Sequence, residues 1–527
     1  MMYYNGLNST KPKRRTFSTR SMRVLIIAAA MRLFKSCRLF FLLVLTSTGA
    51  GAAASPQAVE QALRAAGIPQ RNVAVLVQEV GGGARSLELN ASEPMNPASV
   101  MKLVTTYAAL ELLGPAYRWK TEVYGDGENL ILKGYGDPKL NYESFWMLLR
   151  ALRGRGLKEI RGDVILDRSY FDAAQTGPFD SEPFRPYNVT PDALLVNFKS
   201  LRFNFIPENA RGTVRVFAEP ALPGLEVVNS LKIVEGGCPE GRAFRDLIQA
   251  SFQPRPPRAA FTGVYPALCG ERDLNVALYE PEEYLAAMIR QLWSEMGGSW
   301  RGIVRNGTLP PGAQLLYQHE SDPLAEIVRD INKFSNNVMA RQLFLTLGAE
   351  LVGAPARGEN ATRVVQQWLI FKNVAAPELV LENGSGLSRI ERISAASLAA
   401  LLQAAWKSPL MPEFIASLPV VAADGTMKKR LRGERVAGSA HIKTGLLSDA
   451  RAIGGYSIKT EGSGVGVNTA TGSDRGTGFL YGLGAQYELS KNLDVRAEWE
   501  MFNKVGDKVK TFEGDIGLLS VGLAYKF

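Results

Sequence analysis

Histidine is scarce in this chain of 527 residues, and its scarcity limits the chemistry open to the protein. There are only two histidines, His319 and His441. This number disfavours a Ser-His-Asp triad and a histidine-rich metal site. The three cysteines are not spaced like the ligands of a zinc site. We therefore expect no metal and no organic cofactor.

Acidic residues are missing from residues 1–54, which carry nine Lys and Arg residues. The rest of the chain has 52 Lys and Arg residues and 51 Asp and Glu residues, so its net charge is near +1. The whole chain has a net charge of +10. The basic excess belongs to this presequence, and we expect no nucleic-acid partner.

The chain also lacks an apolar run long enough to cross a bilayer, which takes about 20 residues. Its strongest run, Leu39–Leu45, has seven residues and follows three basic residues between positions 32 and 38. Ala52–Ala54 then offers a small-x-small cleavage site. We predict a cleaved secretory signal and a periplasmic mature protein, with a membrane anchor as the alternative. Met31 directly precedes this signal, so residues 1–30 are interpreted as an upstream extension.

Of the three cysteines, Cys37 lies in the predicted signal and would be removed with it. Cys238 and Cys269 remain as an even pair in an exported chain, which favours a disulfide. In the chain-entropy model such a bridge stabilises the fold by about 3–4 kcal/mol. The alternative is two free buried thiols.

Three short motifs follow one another along the chain: Ser99-Val-Met-Lys102, Ser335-Asn-Asn337 and Lys443-Thr-Gly445. Together they supply the parts of an acyl-transfer site that needs no histidine. Each tripeptide or tetrapeptide is a weak signal alone, because such short patterns occur by chance. Their order on a predicted helix, loop and strand makes the set a strong one.

The first motif predicts a nucleophile and its base. Residues three apart on a helix are neighbours, with about 5–6 Å between their Cβ atoms. Lys102, buried near other positive charge, would lose proton affinity and could accept the proton of Ser99. The helix is apolar on nearly all sides, so we expect it to be central and buried.

The second motif is predicted to lie in a kink between two helices. Ser335 can relay a proton between Lys102, Lys443 and a leaving amine, and Asn337 can hold a substrate amide. The plainer interpretation is a helix cap before a helix that starts near Val338.

The third motif is predicted to end a strand. Lys443 offers positive charge, Thr444 offers a hydroxyl to a substrate carboxylate, and Gly445 lets an extended substrate approach the backbone. The backbone N–H of Leu446 would form the oxyanion hole with that of Ser99, which benefits from its place at a helix start.

With these motifs the chain resembles the penicillin-binding protein and serine β-lactamase superfamily. Ser335 follows Ser99 by 236 positions, and this long insertion after the first helix is similar to that of the class C low-molecular-mass penicillin-binding proteins. No deacylating glutamate motif is evident, which disfavours a β-lactamase. Supporting stretches are Gly134–Leu140, Gly162–Phe171, Asn383–Arg389 and Ala423–Thr426.

The resemblance implies a serine-type D-Ala-D-Ala carboxypeptidase or endopeptidase that acts on peptidoglycan stem peptides and is acylated by β-lactams. It further implies that Leu387 and Arg389 line the site and that an acid of the inserted domain points into it. Asp180 is our choice for this acid, with Glu182 as the alternative. Leu446 departs from the family, which usually has Ser or Thr there.

The implied fold class is α/β (α+β), a DD-peptidase or β-lactamase-like transpeptidase domain with large inserted, mainly β domains. The predicted division is an extension and signal at 1–54, a discontinuous catalytic domain at 55–123 and 318–457, an insertion at 124–317, and a tail at 458–527. The tail resembles the last three strands of an outer-membrane protein A type β-barrel, fewer than the eight of the smallest such barrels.

The family continues after the strand that ends near Tyr456 with another core strand and a packing helix, and this chain does not. We therefore expect a sheet that lacks a strand, and a chain that is unstable or poorly active. The alternative function is a catalytically impaired penicillin-binding-like protein, tethered near the wall or outer membrane by its tail.

Overall fold

The computed structural model describes residues 22–30, 56–81, 85–172, 178–239, 241–434, 436–458, 480–490, 493–505 and 514–525. For residues 22–30, and for those after residue 457, it describes the backbone alone. The predicted signal run and its cleavage site lie outside these stretches.

The helices and strands are numbered in chain order. The helices are α1 (Pro56–Ala65), α2 (Lys102–Leu113), α3 (Tyr142–Gly154), α4 (Gly241–Leu247), α5 (Pro281–Glu295), α6 (Leu324–Phe334), α7 (Asn337–Leu351), α8 (Gly358–Phe371), α9 (Ala395–Lys407) and α10 (Met411–Ser417). The strands are β1 (Met22–Ala30), β2 (Val73–Glu79), β3 (Arg85–Leu89), β4 (Pro94–Met95), β5 (Lys120–Gly125), β6 (Leu130–Gly134), β7 (Glu159–Ile160), β8 (Val164–Asp167), β9 (Leu201–Glu208), β10 (Thr213–Glu219), β11 (Glu226–Asn229), β12 (Lys232–Val234), β13 (Ala250–Gln253), β14 (Arg258–Phe261), β15 (Val264–Pro266), β16 (Arg272–Val276), β17 (Ser299–Trp300), β18 (Val304–Asn306), β19 (Gln314–Glu320), β20 (Ile393–Ser394), β21 (Ala440–Leu446), β22 (Ala450–Ile458), β23 (Leu480–Ser490), β24 (Leu493–Val505) and β25 (Gly514–Tyr525).

The catalytic region is built on an antiparallel sheet in the order β21-β22-β1-β2-β3. Side chains alternate between the two faces of a strand, and here both faces are covered. Leu76 and Tyr456 belong to the core shared with α2 and α6 to α10. Val75 and Ile453 belong to a second core with Leu63 of α1. The sheet is therefore the middle layer of the domain.

Helix α2 is central, as its sequence predicts. Every residue from Lys102 to Leu110 is buried. A helix that is apolar on all sides can be stable only where packing surrounds it. Residues of α6 to α10 share the core of α2, and the Tyr107 ring packs against Trp368 of α8 and Phe414 of α10. Because α2 is enclosed, the residue that begins it has a fixed position.

The prediction that the sheet lacks a strand is wrong for this structure. The backbone of Met22–Ala30 lies between β22 and β2 and pairs with both. This segment belongs to the part of the chain that we interpreted as an upstream extension outside the catalytic domain. The physical reason is that its apolar run suits a strand with neighbours on both sides.

The insertion leaves and re-enters the catalytic region through a pair of neighbouring strands. β5 and β19 pair antiparallel within a sheet of order β18-β8-β6-β5-β19. Two further sheets, β15-β12-β10-β9-β16 and β11-β14-β13, follow, and α3 and α5 share their core. The predicted disulfide is confirmed, with an S–S distance of 2.05 Å between Cys238 and Cys269.

The tail forms a separate three-stranded antiparallel sheet, β23-β24-β25. The number of strands agrees with the resemblance of the tail to the last three strands of an outer-membrane protein A type β-barrel. Among the helices that the structure describes, none combines the length and the apolar character needed to cross a bilayer.

Candidate active site

Ser99 lies in a 3-10 turn, Ala98–Met101, that leads directly into α2 at Lys102. The Lys102 Nζ atom donates a hydrogen bond to Ser99 Oγ at 2.9 Å. Ala98 has a φ of 46°, a left-handed conformation that costs a residue with a side chain about 1–3 kcal/mol. Its N–H donates to Asn96 Oδ1 at 2.9 Å, which helps to hold the turn. The predicted pairing of a serine with a lysine at a helix start is present.

Lys102 is enclosed by three acceptors. Besides Ser99 Oγ, its ammonium group donates to Asn337 Oδ1 and to the Ser385 carbonyl oxygen, each at 2.5 Å. The pKa of Lys102 is lowered to about 7, mainly by burial; the Glu391 charge opposes this change and the Arg341 charge adds to it. A large fraction of this amine is therefore neutral near neutral pH, which a general base requires.

The second motif lies between two helices, as predicted. α6 ends at Phe334, and Ser335 takes a left-handed φ of 56°. Asn336 then caps α7 by accepting a hydrogen bond from the Met339 N–H. The capping interpretation is therefore correct for Asn336, while its neighbours Ser335 and Asn337 face the two lysines.

Lys443 joins the second motif to the third. Its Nζ atom donates to Ser335 Oγ at 2.8 Å and to the Thr444 carbonyl oxygen at 2.6 Å. Burial lowers the pKa of Lys443 well below its usual value, and the positive charges of Lys102 and Arg430 lower it further. A substrate carboxylate beside this amine would favour its charged form.

The third motif lies inside β21 and not at its end, because β21 continues to Leu446. Thr444 Oγ1 donates to Thr426 Oγ1 at 2.9 Å. A β-carbon built on Gly445 would lie 2.6 Å from the Pro97 carbonyl oxygen and 2.9 Å from Ser99 N. Gly445 is thus required for the close approach of β21 to the Ala98–Met101 turn, a role that its sequence context did not reveal.

A loop from Asn383 to Arg389 closes the site behind Ser99. A β-carbon on Gly386 would lie 1.8 Å from the Ala98 carbonyl oxygen, so the two backbones are in contact. Sequence reasoning missed the residue that organises this loop, Glu391. Its Oε1 atom accepts hydrogen bonds from the backbone N–H groups of Glu382, Asn383 and Gly384 at 2.9–3.1 Å.

Glu391 is fully buried, and burial raises the pKa of its carboxyl group. Its Oε2 atom has no hydrogen-bond partner among the residues that the structure describes. The available signal was an acid two positions after the Asn383–Arg389 stretch. That signal is not distinctive. Glu391 holds the loop because it is buried, and the sequence around a residue does not show whether the residue is buried.

Arg389 and Leu387 contact part of the insertion beside the Ala98–Met101 turn. The Arg389 guanidinium stacks 4.2 Å from the centre of the Phe179 ring and donates to Asp449 Oδ1 at 2.7 Å. Leu387 packs with Phe179 against Ala98. This contact brings the insertion to the edge of the site.

Asp180, the predicted acid, is next to Phe179 but is held within its own loop. It accepts hydrogen bonds from the Tyr187 hydroxyl at 2.8 Å and from Asn188 Nδ2 at 3.0 Å. Although burial acts in the opposite direction, these hydrogen bonds, with a contribution from the Arg389 charge, keep its pKa below the usual value. Its alternative, Glu182, forms an ion pair with Arg185.

Ser99, Lys102 and Asn337 are in contact, and Lys443 contacts Ser335 of the second motif. This arrangement fits the class of serine acyl-transfer enzymes that need no histidine. A family model described as the D-Ala-D-Ala carboxypeptidase 3 (S13) family matches residues 56–474. The chain belongs to this family, and it is a serine-type D-Ala-D-Ala carboxypeptidase.

Individual relatives agree with this assignment. The chain is 30% identical over 409 residues to the D-alanyl-D-alanine carboxypeptidase of Actinomadura sp. strain R39. The matched region covers 74% of this chain and 75% of that protein. It is 23% identical over 404 residues to D-alanyl-D-alanine carboxypeptidase DacB of Haemophilus influenzae, over 74% and 83% of the two chains. The crystal structure of penicillin binding protein 4 from Haemophilus influenzae has the same fold, with a TM-score of 0.60, 22% identity and coverage of 76% and 92%.

The tail matches a different family. A model described as an OmpA-like transmembrane domain matches residues 448–527. Outer membrane protein A of Yersinia pseudotuberculosis is 41% identical over 63 residues, which cover 12% of this chain and 18% of that protein.

Proposed function

We propose that Ser99 is the nucleophile of this carboxypeptidase and that Lys102 is its general base. The observation that carries this proposal is the 2.9 Å contact between Lys102 Nζ and Ser99 Oγ, made by an amine with a pKa of about 7. Neutral Lys102 takes the hydroxyl proton as Ser99 Oγ attacks the carbonyl carbon of the penultimate D-alanine. The backbone N–H groups of Ser99 and Leu446 hold the oxyanion that forms.

Collapse of the tetrahedral intermediate breaks the peptide bond and leaves an ester on Ser99. The leaving D-alanine amine takes a proton that reaches it through Ser335, which contacts Lys443. Asn337 holds the amide of the substrate. Water then attacks the ester, releases the shortened peptide and restores the Ser99 hydroxyl.

Lys443 and Thr444 bind the carboxylate of the terminal D-alanine, and Gly445 keeps β21 close to Ser99. Two features support this: the buried amine of Lys443 is adjacent in sequence to Thr444, and β21 contacts the Ala98–Met101 turn that carries Ser99. Leu387, Arg389 and Asp180 are proposed to line the entrance, where they would contact the rest of a peptidoglycan stem peptide. β-Lactams are proposed to acylate the same serine, as a β-lactam complex of a structural relative suggests.

The relatives act on the cell wall, so we assign the protein to an extracellular or periplasmic location. We further propose that the tail associates with the outer membrane, on the strength of its OmpA-like match. Fractionation of cells that express the chain with and without residues 458–527 tests this. A shift from the outer-membrane to the soluble fraction on deletion is expected, and an unchanged distribution would exclude it.

The assignment of the nucleophile is tested with Ser99→Ala. We expect complete loss of labelling by a fluorescent penicillin, and a fall in D-alanine release of about 10⁴-fold or more, as for other serine nucleophiles. Ser251→Ala, on an exposed serine of the insertion, is the matched control and should label normally. Undiminished labelling of the Ser99 variant would refute the assignment.

A further inference from the structure

The stretch Ala423–Thr426 has no part in the proposed mechanism, although it contacts the third motif. Thr426 lies in the 3-10 turn Gly425–Met427, between α10 and β21. Its hydroxyl oxygen is 2.9 Å from that of Thr444, and the two hydroxyls are hydrogen-bonded. This contact places the turn beside the strand residue that is proposed to bind the substrate carboxylate.

The two hydroxyls hold one proton more than their mutual hydrogen bond uses. Each threonine hydroxyl has one proton to donate, and a single donation joins Thr444 and Thr426. Within the stretches that the structure describes, no protein acceptor takes the second proton. Thr444 is 7% exposed and Thr426 is half-buried. The pair therefore retains a donor for a ligand.

The charges around this pair favour an anion as that ligand. Lys443 directly precedes Thr444, is fully buried, and contacts Ser335 of the second motif through its amine. Arg430 follows Thr426 by four positions and is close enough for its charge to act on Lys443. A carboxylate accepts hydrogen bonds through both oxygens, and positive charge attracts it. It is thus the ligand chemistry that matches this part of the cleft.

The neighbouring position on the same face of β21 cannot supply a hydroxyl. Side chains two residues apart on a strand lie on one face, so Leu446 shares the face of Thr444. Leu446 is apolar and 55% exposed. A carboxylate at this face would therefore find hydroxyls at Thr444 and Thr426, and none at position 446.

The turn that carries Thr426 is fixed to the end of α6 by an ion pair with a buried lysine. Asp424 Oδ2 accepts a hydrogen bond from Lys333 Nζ at 2.7 Å. Lys333 is 4% exposed and also donates to the Leu418 carbonyl oxygen at 2.6 Å. A β-carbon on Gly425 would lie 2.5 Å from the Lys333 carbonyl oxygen, so the turn and the helix end are in close contact. These contacts hold Thr426 in place before a substrate binds.

We propose that Thr426 binds the terminal carboxylate of the substrate directly, beside Thr444 and Lys443. The proposal rests on the proposed function, in which Thr444 and Lys443 bind that carboxylate. When the carboxylate enters, each hydroxyl donates to it, because a hydrogen bond to a charged acceptor is about twice as strong as one between neutral groups. Peptides that end in a free D-alanine are therefore favoured over peptides whose last carboxyl group is amidated.

Removal of the Thr426 hydroxyl tests the proposal with two substrates, a peptide that ends in D-Ala-D-Ala and the same peptide that ends in D-alaninamide. Thr426→Val keeps the size of the side chain and should lower kcat/KM for the acid about tenfold, near the value of one hydrogen bond to a charged group. For the amide, kcat/KM should change little, so the preference for the acid falls. Thr426→Ser keeps the hydroxyl and should retain the preference. Thr308→Val, at an exposed position of the insertion, is the matched control.

A double variant decides whether Thr426 acts on the substrate or only on Thr444. Thr426→Val added to Thr444→Val should lower the preference for the acid further, because each hydroxyl makes its own contact. Equal preferences in the double variant and in Thr444→Val would overturn the proposal. An unchanged preference in Thr426→Val, or an equal loss with both substrates, would also overturn it. If Thr426→Val does not melt cooperatively, Thr426→Ala takes its place.

The same variants separate this proposal from the one on which it rests. If Thr444→Val leaves the preference for the acid unchanged, the proposed carboxylate site itself is wrong. If Thr444→Val lowers the preference and Thr426→Val does not, only the role of Thr426 is wrong.

Discussion

The cleft around Ser99 and the sheet beside it are held together in different ways. In the cleft, charged and polar side chains from three local motifs meet within hydrogen-bond distance, as Lys102 with Ser99 and Lys443 with Ser335 show. In the sheet, backbone pairing joins segments more than 400 positions apart, such as Met22–Ala30 and β22. Side-chain chemistry leaves a local signature in the sequence, whereas backbone pairing does not. Changes that affect only one of the two regions can test this contrast.

The largest expected effect comes from removal of the proposed general base of the cleft, Lys102. Lys102→Met should lower the acylation rate by about 10²–10⁴-fold, the range for loss of a general base. A cooperative thermal transition would show that the sheet is intact in this variant. Retention of more than a tenth of the parent rate would remove Lys102 from the role of base.

The same lysine predicts the pH dependence of the parent enzyme. Only the neutral amine accepts a proton, and the pKa of Lys102 is lowered to about 7. The acylation rate should therefore rise about tenfold per pH unit below pH 7 and become level above it. Stopped-flow acylation between pH 5 and pH 9 measures this, and a level rate across that range would contradict the pKa.

Loss of the disulfide tests the stability of the insertion, apart from the cleft and the sheet. Cys238→Ser with Cys269→Ser should lower the free energy of unfolding by about 3–4 kcal/mol, the chain-entropy value for a loop of this size. Denaturant unfolding measures the loss. Because neither cysteine is near the motifs, acylation of the folded protein should be unchanged, and a slower chemical step would show an unexpected link to the cleft.

Glu391 tests how the cleft depends on a buried group that binds backbone N–H groups of the loop beside Ser99. Glu391→Ala removes the acceptor of three backbone N–H groups and should slow acylation about tenfold, near the value of one lost charged hydrogen bond. Glu391→Gln keeps an acceptor but removes the charge that opposes the lowered pKa of Lys102. Its acid limb should therefore shift to lower pH.

The matched control for Glu391 is Glu359→Gln, an acid in the first turn of α8 that is exposed. It should leave both the rate and the pH profile unchanged. A Glu391→Gln profile identical to that of the parent would mean that Glu391 positions the loop without any electrostatic effect on Lys102.

At Asp137, in the insertion, we expect an effect on stability and none on the chemical step. Burial raises the pKa of this carboxyl group from 3.8 to about 7. Between about pH 4 and pH 7 the folded state keeps a proton that the unfolded state releases, so stability falls as the pH rises through this window. Asp137→Asn keeps the acceptor for the Lys139 N–H and should raise the free energy of unfolding by about 4 kcal/mol at pH 8, and by much less at pH 4.

Urea unfolding at the two pH values measures this difference. Asp273→Asn, at an exposed position of β16, is the control and should show no pH-dependent gain. An equal change for Asp137→Asn at both pH values would mean that its carboxyl group is not protonated in the folded state.

The sequence by itself determined the parts that depend on short spacing. Ser99 and Lys102 are three positions apart, so any helix that starts there makes them neighbours. The apolar composition of α2 required a buried position, and the two cysteines of the insertion had only each other to pair with after export. The tail strands were also predictable, since strict alternation of polar and apolar residues indicates a strand with one covered face.

Only the tertiary structure decided what depends on the meeting of distant segments. Three features of this kind leave no local signature in the sequence. They are the contact of Gly445 with the Ala98–Met101 turn, the burial of Glu391, and the hydrogen bond that Tyr187 donates to Asp180. Two apolar runs, Val24–Ala30 and Leu39–Leu45, precede the catalytic domain, and periodicity cannot tell a strand buried on both faces from other apolar segments. In the structure, Val24–Ala30 lies between β22 and β2, where the buried backbone groups of both neighbours need hydrogen-bond partners. The sequence cannot show this, because β22 and β2 are far apart along the chain.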